Sequence, residues 1–209
     1  MSSPYMQPAP LFPDLFHDDV FALETPRLWL RWPRMADAAA IEAMSSFRQV
    51  AEMTARVPHP YPEGAAAMHV ATTRDANAAG ARFSLVLTRK EGGREVIGLF
   101  GLGPHEGGGH ALGYMLHPRH WGQGYMSEAV GALLDAAFAY ADVREIHAEV
   151  RTVNPASRRV LEKTGFAFYG TRMSQGPARA EPHEVDMSVL ARGAWEGARG
   201  LRSDRKSVV

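Results

Sequence analysis

The chain has no cysteine in 209 residues. Disulfides, thiolate zinc sites and cysteine nucleophiles are therefore excluded, and no group transfer can pass through a cysteinyl intermediate. Neither sign of charge is in excess, with 23 Lys+Arg against 23 Asp+Glu. Such a balance gives no general attraction to nucleic acid or to an acidic membrane, and neither is expected as a partner. No apolar run approaches the length of a bilayer span. The start of the chain lacks a basic region followed by an apolar block, so a secretory signal is not expected and a cytoplasmic location is. No internal repeat is visible.

What is present is an ordinary globular composition, 45% hydrophobic and 22% charged, at a length that supports one domain with a real core. Residues 1–23 read as an arm. Pro4, Pro8, Pro10 and Pro13 forbid a regular helix, yet Leu11, Phe12, Leu15, Phe16, Val20 and Phe21 are too apolar for a free tail. The arm should pack on the domain or on a second subunit, which would make a homodimer. The domain spans 24–192, and 193–209 reads as a basic, mobile tail.

Periodicity and breakers predict a strand at Leu28–Trp32 and a helix from Asp37 to about Phe47. A loop over 48–61 and a helix from about Glu63 to Ala78, closed near Gly80, follow. Strands are expected at Phe83–Thr88, Val96–Leu102 and Ala111–Leu116, then a helix over 125–141. In that helix Ala129, Val130, Leu133, Leu134, Ala137 and Phe138 form one stripe. Glu145–Arg151, Phe166–Met173 and Glu184–Leu190 read as strands and Ala156–Thr164 as a helix. The class is α/β (α+β): one mixed sheet with helices on both faces. The strands near residues 114 and 145, joined by a helix, should be parallel neighbours.

The most informative stretch is Tyr114-Met-Leu-His-Pro-Arg-His-Trp-Gly-Gln-Gly-Tyr-Met-Ser-Glu-Ala129. An apolar strand enters a proline turn, then two glycines one residue apart, then a long helical pattern. Such a junction aims several free backbone N–H groups at one spot on the positive end of a helix, a site suited to a pyrophosphate. Two glycines alone describe a plain strand-to-helix turn equally well. The signal gains weight from Asn154-Pro-Ala-Ser157 and Lys163-Thr-Gly-Phe166 downstream. A dinucleotide fold is the weaker competitor, because Gly98-Leu-Phe-Gly-Leu-Gly103 has the wrong glycine order and is followed by Pro104. His117-x-x-His120 has tolerable metal-ligand spacing, but a proline intervenes and no acidic partner follows, so no metal is expected.

On these residues, together with Glu24-Thr-Pro-Arg-Leu28 and His59-Pro-Tyr61, the chain resembles the GCN5-related N-acetyltransferases (GNAT) over about residues 24–192. The subgroup it resembles contains the ribosomal-protein alanine and serine N-terminal acetyltransferases. The resemblance implies a mostly antiparallel central sheet with a splayed parallel strand pair. It also implies acetyl-CoA as cosubstrate and direct acetyl transfer to a primary amine, on a small molecule or a protein N-terminus. The family's pattern is Gln/Arg, two free positions, Gly, one free position, then Gly or Ala. Arg119–Gly124 fits its letters and Trp121–Met126 fits its spacing from Pro118, the register preferred here. Trp121 and Met126 are departures, and bulk at Met126 could narrow the site. Arg119 could add charge near the phosphates.

By the same resemblance, main chain at Tyr114, Met115 and Leu116 would bond the pantetheine arm and face the thioester carbonyl. Gly122, Gln123, Gly124, Tyr125, Met126 and Ser127 would hold the diphosphate. Asn154, which on its own reads as the cap of a helix beginning at Pro155, would also touch the cofactor arm. Many relatives carry a tyrosine seven residues after this Asn as acid; here that position is Leu161. Ser157 matches the serine of the ribosomal-protein subgroup and becomes the candidate general acid, beside its plain reading as a helix-surface serine. His117, His147, Glu149, His183 and Glu184 are all candidates for the base, as is a water chain. Trp32, Phe47, His59 and Tyr61 would line the acceptor side. A non-catalytic acyl-CoA-binding regulatory module is the alternative function, and a longer acyl donor a further one.

Overall fold

The computed structural model describes residues 11–13, 16–179 and 181–206, without the side chains of 200–206. Pro4, Pro8, Pro10 and Leu15 lie outside these residues. The elements run β1 (Ala22–Glu24), β2 (Leu28–Arg31), α1 (Ala38–Ser45), α2 (Arg48–Met53), α3 (Ala65–Ala78), β3 (Phe83–Arg89), β4 (Val96–Pro104) and β5 (His110–Leu116). They continue with α4 (Tyr125–Tyr140), β6 (Glu145–Arg151), α5 (Pro155–Lys163), β7 (Ala167–Ser174), β8 (His183–Ala191) and α6 (Arg192–Lys206). All eight strands form one sheet in the order β1-β2-β3-β4-β5-β6-β8-β7. Every neighbour is antiparallel except β5–β6. The expected parallel pair is therefore present, with α4 as its crossover.

The stripe expected on α4 is the buried face: Ala129, Val130, Leu133, Ala137 and their neighbours Leu134 and Phe138 are at most 2% exposed. It packs on the sheet with α5, through Val160 and Leu161. A smaller cluster on the other face joins α1 to α3 through Ile41, Ala66 and Val70, with Leu99 of β4 beneath. Burial of each such aliphatic side chain contributes about 1.5–3 kcal/mol.

The described part of the arm belongs to the core. Phe12 and Phe16 are buried, and Phe16 stacks on Phe83 with centroids 4.2 Å apart. The Leu11 and Phe12 amides donate to the Gly80 carbonyl at 2.9 and 3.2 Å. Its end, β1, pairs with β2 around a tight turn in which the Thr25 hydroxyl oxygen accepts from the Leu28 amide at 3.0 Å. A three-residue strand is too short to announce itself by alternation.

Two further segments differ from the sequence reading. Part of the expected loop over 48–61 is helix α2, anchored by buried Val50 and Ala51. Its last carbonyls are held by arginines from across the sheet: Arg151 and Arg179 both donate to Glu52 O, and Arg179 also donates to Thr54 O at 3.3 Å. The expected mobile tail begins as α6. Arg192 donates to three carbonyls at the end of α4, Phe138 O at 2.6 Å, Ala141 O at 2.8 Å and Val143 O at 3.0 Å. Trp195 packs on Phe138 at 5.2 Å between centroids and donates to Asp135 at 2.9 Å. A positive fork on the exposed carbonyls of a helix C-terminus satisfies groups that have no intrahelical partner.

Arg192→Ala should therefore cost about 1–3 kcal/mol of unfolding free energy, measured by urea denaturation, because it strips donors from three carbonyls at once. An unchanged midpoint and slope would show that water replaces the guanidinium without loss.

Candidate active site

The site begins where β5 and β6 part. They pair in parallel over His110↔Ile146, Ala111↔His147 and Leu112↔Ala148, and the pairing ends there. β5 stays bound to β4 as far as Leu116↔Gly98, while β6 follows β8 as far as Arg151↔Val185. Each strand is thus fixed by its other neighbour, and the segment Gly113–Leu116 has no strand on its β6 side.

Beyond Leu116 the chain enters a 3-10 turn, Pro118–His120, capped by His117 Nδ1, which accepts from the Arg119 amide at 3.2 Å. The Trp121 indole N–H donates back to Leu116 O at 2.7 Å. Gly122 and Gly124 follow at φ of 75° and 78°, conformations that cost a side-chain-bearing residue about 1 kcal/mol or more. Gly124 is the residue before α4, and the first helical bond runs from the Glu128 amide to its carbonyl at 3.1 Å. The amides of Tyr125, Met126 and Ser127 are then the first-turn donors with no carbonyl in their own helix. Met126 is buried in the main core cluster and also lines the cleft beside the turn. A Cβ at Gly122 would meet nothing within 4 Å, which leaves the outer face of the turn open. The exposed amides, the open turn and the helix dipole fit a diphosphate.

A residue the sequence reading did not single out holds this turn. Arg27 donates to Gln123 O at 2.9 Å and to Glu128 Oε2 at 2.6 Å, and its guanidinium lies 4.4 Å from the centre of the Tyr125 ring. The Arg27 amide and the Thr25 hydroxyl both donate to Glu128 Oε1, at 2.9 and 2.6 Å. Burial disfavours ionisation of Glu128, but these donors outweigh it and hold its carboxyl below the usual range. The signal was in the chain as Thr25-Pro-Arg27, but only the fold brings it against a helix 101 residues away.

Two clefts meet at the gap. The smaller, about 320 Å³, is lined by every expected cofactor residue except Gln123, whose side chain donates to Arg119 O at 2.9 Å. The larger, about 540 Å³, opens on the side of α3 and β3. Met53, Thr54, Tyr114, Met115 and Ser157 line both. Asn154 Oδ1 accepts from the Ser157 amide at 3.1 Å, so the structure gives it the capping role. The Tyr114 hydroxyl donates to Ser157 O at 3.2 Å, and burial pushes its pKa up to about 12. The phenol therefore stays neutral and a donor. Leu161, in the position where many relatives have tyrosine, is buried.

The candidate bases separate. His147 and Glu149 line the larger cleft, but Glu149 is bound by Arg172 through two contacts of 2.8 Å. His147 pairs with Glu145 at 3.0 Å and stacks on His105 at 4.1 Å. His117 is tied into its turn and His183 accepts from Arg179 at 3.0 Å. Glu184 is exposed on β8 outside both clefts. Trp32, Phe47, His59 and Tyr61 do not line the larger cleft. Trp32 is buried, Phe47 packs on His117 at 5.1 Å, and Tyr61 packs on the α1–α3 cluster. In their place stand Arg56, His69, Arg82, His105 and Arg172, polar residues on separate elements that no spacing rule connects. Among the described residues no three His, Asp or Glu side chains group as metal ligands would.

Arg27→Ala should weaken coenzyme A binding about tenfold, because Gln123 O and Glu128 both lose their anchor while the fold keeps its core. Calorimetric titration would read this. An unchanged dissociation constant would mean the glycine turn keeps its shape alone.

The comparisons agree with this geometry. The family described as "Acetyltransferase (GNAT) domain" matches residues 27–167. The chain is 31% identical over 118 residues to the uncharacterized N-acetyltransferase p20 of Bacillus licheniformis, covering 56% of this chain and 65% of that protein. It is thus similar to somewhat less than two thirds of that relative's length. The ribosomal-protein-S5-alanine acetyltransferase of Vibrio fischeri superposes with a TM-score of 0.70 at 19% identity, over 84% of this chain and 98% of that one. RimL, a ribosomal L7/L12 alpha-N-protein acetyltransferase solved with coenzyme A, gives 0.71 at 18%, over 82% and 98%. With two thirds of its length inside the matching domain and the sheet, gap and glycine turn in place, this chain belongs to the GNAT acetyltransferase family.

Proposed function

We propose that the protein transfers an acetyl group from acetyl-CoA directly to a primary amine, with donor and acceptor bound together. The observation that carries this reading is the meeting of two clefts at Tyr114, Met115 and Ser157, where the sheet is open between β5 and β6. One cleft suits a cofactor held by main chain and the other is left for an acceptor. A protein N-terminus and a small amine are both compatible acceptors.

Acetyl-CoA supplies the activated acetyl thioester. The amides of Tyr125, Met126 and Ser127 bind its diphosphate, and the β6-facing side of Gly113–Leu116, apart from the Leu116 carbonyl that Trp121 occupies, receives its extended arm. Asn154, whose oxygen accepts from the Ser157 amide, offers that arm its amide N–H₂. An N–H near Met115 or Leu116 stabilises charge developing on the carbonyl oxygen. The Ser157 hydroxyl donates to the departing sulfur, and the amine loses its proton to water in the open larger cleft. The place of Leu161 favours one other reading, a regulatory module that binds acyl-CoA without turnover. Free thiol release measured across a panel of amines separates the two: binding without release for any amine supports the module.

Gly124→Val should weaken coenzyme A binding by tenfold or more. The cause is the positive φ that a β-branched residue resists, together with a 3.4 Å approach of the new Cβ to Arg27. Unaltered affinity in folded protein would remove the cradle from the site. Ser157→Ala should lower kcat on the order of 10²-fold and leave coenzyme A affinity within about twofold. An unaffected kcat would reduce Ser157 to a helix-capping partner.

A further inference from the structure

The larger cleft carries a charge arrangement that acetyl transfer itself does not need. Arg82 directly precedes β3, with its amide fixed to Ala76 O at 3.2 Å. Its side chain lies flat across β4 where Gly103 leaves room: a Cβ there would sit 2.9 Å from Arg82 Nη1 and 3.6 Å from Cγ. Gly103 is thus the residue that lets a guanidinium rest on the sheet inside the cleft. Arg56, in the loop after α2, lines the same cleft, as does His69 of α3. Among the described residues no carboxylate forms an ion pair with Arg56 or Arg82. The acidic residues on this cleft lie elsewhere. Glu149 is bound by Arg172, and the charge of Glu106 acts on that same arginine.

Arg82 feels the charge of Arg56. Burial lowers the pKa of Arg82, and the charge of Arg56 lowers it further. Burial lowers that of His69, and Arg82 adds to the effect. Like charges lining one cleft are a cost unless an anion relieves it, most of all for the half-buried Arg82. Guanidinium forks match planar oxyanions in geometry as well as in charge.

We propose that Arg56 and Arg82, beside His69, form a subsite for an oxyanion of the acceptor, so that the amine acetylated belongs to a molecule that also carries a carboxylate or a phosphate. The proposal rests on the transferase reading for the identity of the occupant, but the anion subsite can be measured without it. An acidic acceptor gains affinity here and a neutral one does not, which makes the arginines determinants of KM rather than of kcat.

The test uses matched acceptors at saturating acetyl-CoA: an ω-amino acid against its amide, O-phosphoethanolamine against ethanolamine, and a peptide with Glu at its second residue against the same peptide with Gln. At least one charged member should exceed its neutral partner about tenfold in kcat/KM, mainly through KM. The pair that discriminates identifies the source of the oxyanion. Arg82→Gln should abolish the preference. Arg56→Glu, at an exposed loop position, should abolish or reverse it with coenzyme A affinity intact, and guards against a folding defect in the first variant. Absence of preference in all three pairs, or a preference that survives both substitutions, overturns the proposal. If no amine is acetylated, the coenzyme A-saturated protein is titrated with inorganic phosphate and the His69 ring followed by NMR. A saturable shift with a rise in the His69 pKa, lost in Arg82→Gln, supports the subsite, and no saturable shift overturns it.

Discussion

The parting of β5 from β6 after Leu112 and Ala148 is the constraint on which the rest of the molecule turns. Main-chain groups left without a strand partner must find a side chain, as Leu116 O finds Trp121, or water or a ligand, since buried unpaired amides cost about 1–3 kcal/mol each. The gap can persist because neither strand depends on the other. β5 keeps its full antiparallel pairing with β4, and β6 keeps its pairing with β8 through Arg151. The sheet is therefore continuous at one end and open at the other, and the opening connects two clefts that would otherwise lie apart.

Arginines on carbonyls fix the pieces around that opening. Arg27 holds the entry to α4 through Gln123 O, and Arg192 holds its exit through Phe138 O and Ala141 O. Arg151 and Arg179 hold the end of α2, whose Met53 forms wall in both clefts together with Thr54 beyond it. A charged donor to a carbonyl contributes about 1.5–3 kcal/mol, more than a neutral one. Here each also sets the position of a segment that touches the site. Shape is thus carried by contacts far apart in sequence, and the turn with its two glycines is itself held by one of them, Arg27 on Gln123 O.

That division explains what could be read from the chain. The glycine turn was legible because positive φ leaves a residue type behind, at Gly122 and Gly124. The α4 stripe and the parallel pair were legible because burial at helical spacing and a helical crossover both mark the sequence. Helix α2 was not, since its six residues are too few for a periodic signal and its ends are secured by arginines about 100 residues on. α6 failed for a different reason. Its polar surface reads as a solvated tail, and only the contact of Trp195 with Phe138 and the fork of Arg192 make it part of the domain. The lining of the larger cleft was not legible, and the aromatic residues expected on the acceptor side do not line it. Trp32 and Tyr61 are instead used in packing, and the cleft is walled by Arg56, His69 and Arg82 from three separate elements.

Ser157 shows how the same constraints bear on chemistry. Its amide is taken by Asn154 Oδ1 and its carbonyl by the Tyr114 hydroxyl, so its main chain is tied on both sides. One tie comes from the cap of α5 and the other from β5, across the gap. A hydroxyl on such a residue swings from a fixed point, which limits the geometries in which it can donate. The burial that keeps Tyr114 protonated also secures that tie, because a phenolate could not donate to the carbonyl. Leu161, buried one turn further along α5, cannot supply a proton at all. A hydroxyl group at the junction stays neutral across the physiological range, so as a proton donor it would give turnover no alkaline limb of its own there.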